Sequence, residues 1–185
     1  MRMLPIFILL VSSYLALGNL VPNQKTWTYM MRSVQMSTSD ESIAGGTTRL
    51  DRISRGEFGL TGTLYFNTDV PRDLEAEVNI YRSTDGGGTY KLEPFSVPRR
   101  KVYDALNTFY KDIIMKSAAN CSDLPQFKGT LDIIHAREFH YEKCRVSTDG
   151  FPNYLSDGLY KIEVKTFGIV HIIWEVVVEV VQKTF

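Results

Sequence analysis

Charge of either sign is not in excess in this chain: 21 Lys and Arg stand against 21 Asp and Glu over 185 residues. That balance removes the electrostatic footprint of a nucleic-acid binder. Histidine is scarce, with only His135, His140 and His171. A G-x-S-x-G elbow, an H-E-x-x-H helix and a phosphate-cradling Gly-Lys-Ser/Thr loop are all missing. His140 shares a face with Glu138 and Glu142 on an extended segment, but solvated strand residues explain that spacing better than a metal site. No enzyme activity, cofactor or metal is expected. The longest apolar stretches are short of the roughly 20 residues a membrane-spanning helix needs, so no transmembrane anchor is expected either.

What is present is an ordinary globular composition, 44% hydrophobic, 23% charged and 12% aromatic, enough for a core and far from the profile of a disordered chain. Arg2, the apolar stretch from Met3 to Val11, and the small residues Ala16 and Gly18 read as a secretory signal over residues 1–18. Residues 19–185 then form one domain. In an oxidising compartment the only two cysteines, Cys121 and Cys144, are expected to pair. Asn120, Cys121 and Ser122 spell an N-x-S glycosylation sequon. It is a weak one, because its central cysteine is needed for the disulfide.

Period-two segments dominate beyond the signal. Thr26 to Met36, Gly59 to Asn67, Glu77 to Arg82, Tyr160 to Lys165 and Ile169 to Val181 all read as antiparallel strands. The last of these places Val170, Ile172, Trp174, Val176, Val178 and Val180 on one face, and its density of β-branched residues decides against a helix. Asp85, Gly86, Gly87 and Gly88 between Tyr81 and Tyr90 suit a hairpin tip. One amphipathic helix is predicted over about 98–118, with Val102, Ala105, Leu106, Phe109, Ile113 and Ile114 as its apolar stripe.

Further information lies in the segments Asn120 to Gly129, Cys144 to Val146 and Asp157 to Lys161. Together with the Met-rich first strand and the Trp174-containing last one, they resemble the insect chemosensory protein B (CheB) family. That resemblance implies kinship with the GM2-activator and MD-2-like lipid-binding proteins, whose fold is an open antiparallel β cup around an acyl chain. It further implies secretion, with sensillum lymph as one destination, and a part in gustatory detection of cuticular hydrocarbon pheromones. A GM2-activator-like cup carries several disulfides, whereas only one can form here. The resemblance transfers no ligand-binding residue.

The expectation is therefore a mainly β fold, a GM2-activator-like cup or sandwich with one helix. Its function would be to bind a lipid or other hydrophobic small molecule without catalysis. Burial of each CH2 is worth about 0.8 kcal/mol, so a chain of about a dozen carbons gains roughly 10 kcal/mol before the costs of association. Alternation and helical spacing point Leu64, Phe66, Ile80, Phe109, Ile113, Tyr160, Ile162, Val164, Ile172, Trp174 and Val176 inward as candidate cavity lining. The same sequence also suits a filled sandwich acting by surface contact on a chemosensory receptor or ion channel. A third reading is a lipid-presenting cofactor for a hydrolase.

Overall fold

A computed structural model of the chain describes residues 25–184; the expected leader over 1–18 lies outside them. The strands are β1 (Trp27–Thr38), β2 (Ala44–Ser54), β3 (Glu57–Phe66), β4 (Glu75–Ser83), β5 (Lys91–Leu92), β6 (Val97–Lys101), β7 (Arg137–Cys144), β8 (Gly158–Phe167) and β9 (Ile172–Gln182). One helix, α1, spans 102–118. Two antiparallel sheets result. The larger runs β1-β9-β8-β4-β5, with β6 also pairing to β4, and the smaller runs β2-β3-β7. The fold is mainly β, as the alternation implied.

Register explains which face is apolar. Ile162 pairs with Val176, Val164 with Trp174 and Tyr160 with Val178 across β8 and β9, while Val78 pairs with Val164 and Ile80 with Ile162 across β4 and β8. Directly paired residues share a face, so these side chains form one aliphatic surface. In β1 the apolar residues change parity, with Trp27, Tyr29 and Met31 first and Val34 and Met36 later. A bulge between Met31 and Ser33 absorbs the odd residue and returns both runs to the same face.

Most of the fully buried apolar side chains gather in three separate clusters, with Ala76, Val97 and Ala118 outside them. The first joins Ala44, Val70, Leu74, Tyr103, Ile134, Phe139, Val170 and Ile172, where the start of α1 meets both sheets. A second holds Trp27, Tyr160 and Val180 at the far end of the larger sheet. The third holds Met31, Leu60 and Val176, where the smaller sheet lies against β1 and β9. Having only three strands, the smaller sheet covers the β1–β9 side, and α1 faces the rest.

The smaller sheet depends on close backbone approach. A Cβ built on Gly62 would lie 1.9 Å from the Thr47 carbonyl oxygen and 2.8 Å from the Tyr141 hydroxyl. Gly62→Ala is therefore expected to force β2 and β3 apart, at about 3 kcal/mol or more for an overpacked site that cannot relax. Gly56→Ala, at a turn with open space around it, is the control; its φ of +80° limits the cost to about 1 kcal/mol. Denaturant midpoints of the two variants check the ranking.

Two sequence expectations need correction. The helix begins at Val102, not near Pro98, because residues 97–101 pair with β4 as the edge strand β6, Ala76 opposite Arg100 and Val78 opposite Val97. Pro98 is tolerated there since an edge strand leaves some N–H groups unpaired, and the residue before a proline favours extended backbone. The final strand begins at Ile172, not Ile169. Gly168, at φ +141°, turns the chain, and Ile169 is left exposed in that turn. The Gly-rich tip after β4 is a hairpin as expected, with Gly86 and Gly87 at φ +73° and +100°.

Candidate functional site

The site is assembled by α1 and the inner faces of β4 and β8. Residues Leu106–Ile114 of the helix wind as a π-helix between short α-helical turns. Such i→i+5 runs are rare and recur at functional positions. The first turn of α1 approaches β4 and β6 and the last approaches β7, while the π-helical middle makes no comparably close approach to a strand. No residue of that middle segment is fully buried.

The outward side of α1 is held by a strap, residues 121–134. The Asn107 amide donates to the Leu131 carbonyl at 3.0 Å and accepts from the Leu131 N–H at 2.7 Å. The Tyr110 hydroxyl donates to the Pro125 carbonyl at 2.8 Å, and burial pushes its pKa up to about 12. Lys111 reaches the Gly129 carbonyl at 2.7 Å. At the helix start the buried Tyr103 hydroxyl donates to the Val70 carbonyl and accepts from the Ile134 N–H. At its end the Cys121–Cys144 disulfide, S–S 2.03 Å, joins the segment after α1 to the end of β7. The helix is thus fixed at both ends and along its back.

The register brings Val78 and Ile80 on β4 and Ile162 and Val164 on β8 together as one apolar strip on the inner face of the larger sheet, and all four are only half-buried although both strands lie inside that sheet. Glu163, on the opposite face of β8, is only 9% exposed. Its carboxylate accepts from Lys165 at 2.8 Å and from the Tyr81 hydroxyl at 3.4 Å. A filled sandwich would leave the charge wet and the aliphatic residues dry; here a glutamate is better covered than the isoleucine and valine beside it.

The expected lining residues divide between this strip and the clusters. Ile80, Ile162 and Val164 lie on the strip, Ile80 also packing against the second cluster, and Phe109 and Ile113 are half-buried on the π-helical segment. Ile113 packs against Gly150, where an added Cβ would sit 3.4 Å from its Cγ1. Trp174 is half-buried against the Met31 cluster. Tyr160, Ile172 and Val176 are buried, one in each cluster. Phe66 packs against the first cluster, and Leu64 pairs with Phe139 of β7. Val78 and Arg100 join the site without having been singled out as lining. Val78 was legible from its alternation with Ile80, whereas Arg100 was hidden by an irregularity in the β4–β6 pairing between Ala76 and Val78.

Elsewhere the surface carries single exposed apolar side chains, among them Leu92, Tyr154 and Ile169, and two grooves with charged walls. Open grooves of about 580 and 560 Å³ lie at one end and on the outer side of the smaller sheet, the first walled by Glu41, Arg137 and Glu138, the second by Arg49, Asp123 and His140. His140 sits 3.8 Å from Asp123 and 4.0 Å from Glu138. Among the described residues no group of three His, Cys, Asp or Glu side chains could hold a metal ion. No helix among them is long and apolar enough to cross a membrane. Asn120, the sequon residue, is exposed.

Residues 76–162 match a family described as "Protein of unknown function (DUF1091)". That stretch runs from β4 through α1, the strap and β7 to the middle of β8, so it contains Val78, Ile80 and Ile162 of the apolar strip. No curated protein matches the chain.

Proposed function

We propose that the protein is a secreted, non-enzymatic binder of an apolar ligand, with the trough between α1 and the β4–β8 floor as the binding space. The single observation that carries this reading is the inverted burial on β8, where Ile162 and Val164 on the inner face are less completely covered than Glu163 on the outer one. Water against four adjacent aliphatic side chains is unfavourable by about 25 cal/mol per Å². A ligand chain laid over them removes that cost. The π-helical roof supports the same reading, since its middle keeps Phe109 and Ile113 half-buried. Association of the matched family with the MD-2-related lipid-recognition fold in insects supports it from the sequence side. On the CheB resemblance, the ligand belongs to contact chemosensation, a cuticular hydrocarbon or a related lipid.

The test is uptake. Protein purified from expressing eukaryotic cells is titrated with an aliphatic fluorescent probe, and an organic extract of the same protein is examined by mass spectrometry. Saturable probe binding at one site, displaced by a long-chain alkane or ester, is expected. Protein that takes up no probe and yields no extractable lipid overturns the reading and leaves surface contact with a receptor or channel as its function.

A further inference from the structure

Arg100 lies beside the apolar strip of β4 and β8 with most of its guanidinium donors unmatched. It pairs directly with Ala76, and Ala76 pairs with Thr166 on the other side, so Arg100 lies on the inner face, in line with Val78 and Ile80. Its chain neighbour Arg99 faces outward and is paired to Glu75 at 2.6 Å. Arg32, on β1, likewise has a carboxylate partner, and Arg82, on β4, has none among the described residues but donates through Nε and Nη2 to the Asp157 carbonyl at 3.2 and 2.7 Å. Arg100 is half-buried, and among the described residues no carboxylate lies within 4 Å of it. Of the five N–H groups of its guanidinium, only Nε has a protein acceptor, the Pro98 carbonyl at 3.3 Å. The guanidinium sits 5.0 Å from the centre of the Phe109 ring, on the helix that roofs the trough.

A permanently charged group that is half removed from water, beside an aliphatic floor, with its two Nη atoms unpaired, is an incomplete arrangement. The planar fork is shaped for two parallel bonds to a carboxylate. A lone guanidinium suits a single negative charge. Resting on the proposed binding role, we infer that the ligand class is a long-chain carboxylate: the head is bound by Arg100 at the β6 rim, and the chain lies over Val78, Ile80, Ile162 and Val164. The Phe109 ring holds the guanidinium in place by a cation–π contact.

The experiment compares oleate with methyl oleate, ligands that share a chain and differ in charge, by displacement of a neutral aliphatic probe from the full chain. Oleate is expected to bind at least tenfold more tightly. Arg100→Gln should remove that preference, weakening oleate about tenfold while changing methyl oleate less than twofold. Arg100→Lys should keep part of it, as a point charge without the fork. Arg99→Gln, on the outer face, should leave it intact. Equal affinity of the two ligands for the parent protein overturns the proposal and leaves the trough reading standing. So does an equal loss for both ligands in Arg100→Gln and Arg100→Lys, which would make Arg100 a packing residue. Should neither ligand displace the probe, the trough reading falls and this proposal with it. Unfolding midpoints of all variants are measured in parallel, and a Gln variant that does not fold leaves the decision to Arg100→Lys.

Discussion

Replacing Cys121 and Cys144 together by alanine is expected to cost about 3 kcal/mol of stability, which for a domain of this size lowers the melting temperature by roughly 10 °C. The bond closes a loop with a sequence separation of 23 and removes conformational entropy from the unfolded chain. Backbone pairing near the bond does not replace it. The Glu142 N–H donates to the Cys121 carbonyl at 2.8 Å and the Asp123 N–H to the His140 carbonyl at 3.1 Å, but these short bonds do not shorten the unfolded ensemble. Because the disulfide holds the C-terminal end of α1 near β7, probe affinity should fall with stability. Thermal melts of the double variant, and of the parent under reducing conditions, should agree within about 1 kcal/mol. A loss below about 1 kcal/mol would show that the strap alone anchors the helix.

Truncation of a core residue and of a trough residue should separate cleanly. Leu74 is 2% exposed and sits in the largest cluster, so Leu74→Ala is expected to cost about 3 kcal/mol and more if the cavity stays open. Ile162→Ala removes a comparable side chain from the trough floor. With no filled layer packed against it, about 1 kcal/mol is expected without ligand. The order reverses in binding. Ile162→Ala should weaken an aliphatic probe about tenfold, equivalent to about 1.4 kcal/mol, whereas Leu74→Ala should leave the affinity of the folded fraction nearly unchanged. Denaturant unfolding without ligand and probe titration of the same samples provide both readings. Equal destabilisation by the two substitutions would mean that Ile162 lies in a filled core.

The stretches that read well from sequence are those in which one rule acts without interruption. In β8 and β9 the alternation of Tyr160, Ile162 and Val164 with Lys161, Glu163 and Lys165 continues without a bulge, and pairing follows residue for residue. The hairpin after β4 is legible because Gly86 and Gly87 adopt positive φ, which few other residues tolerate. β2 was not anticipated. Its inward positions are Ala44, Gly46, Thr48 and Leu50, paired with Phe66, Leu64, Gly62 and Leu60, and small residues of this kind carry little hydrophobic signal. They are small because β3 approaches closely, a constraint that arises only once the two strands meet.

Composition, alternation and two cysteines were sufficient to determine an antiparallel β protein with one helix and one disulfide, because each follows from local periodicity or from having a single possible partner. The tertiary structure alone decided how the helix and sheets are spaced. Whether Ile162 faces a packed layer or open space depends on where the smaller sheet ends and how far α1 is held off, and those distances are set by the strap, the disulfide and the first cluster. It decided the roles of Arg99 and Arg100 as well. Adjacent arginines look alike in the chain, and an irregularity in the β4–β6 pairing directs one to Glu75 outside and the other to the inner face opposite Ala76.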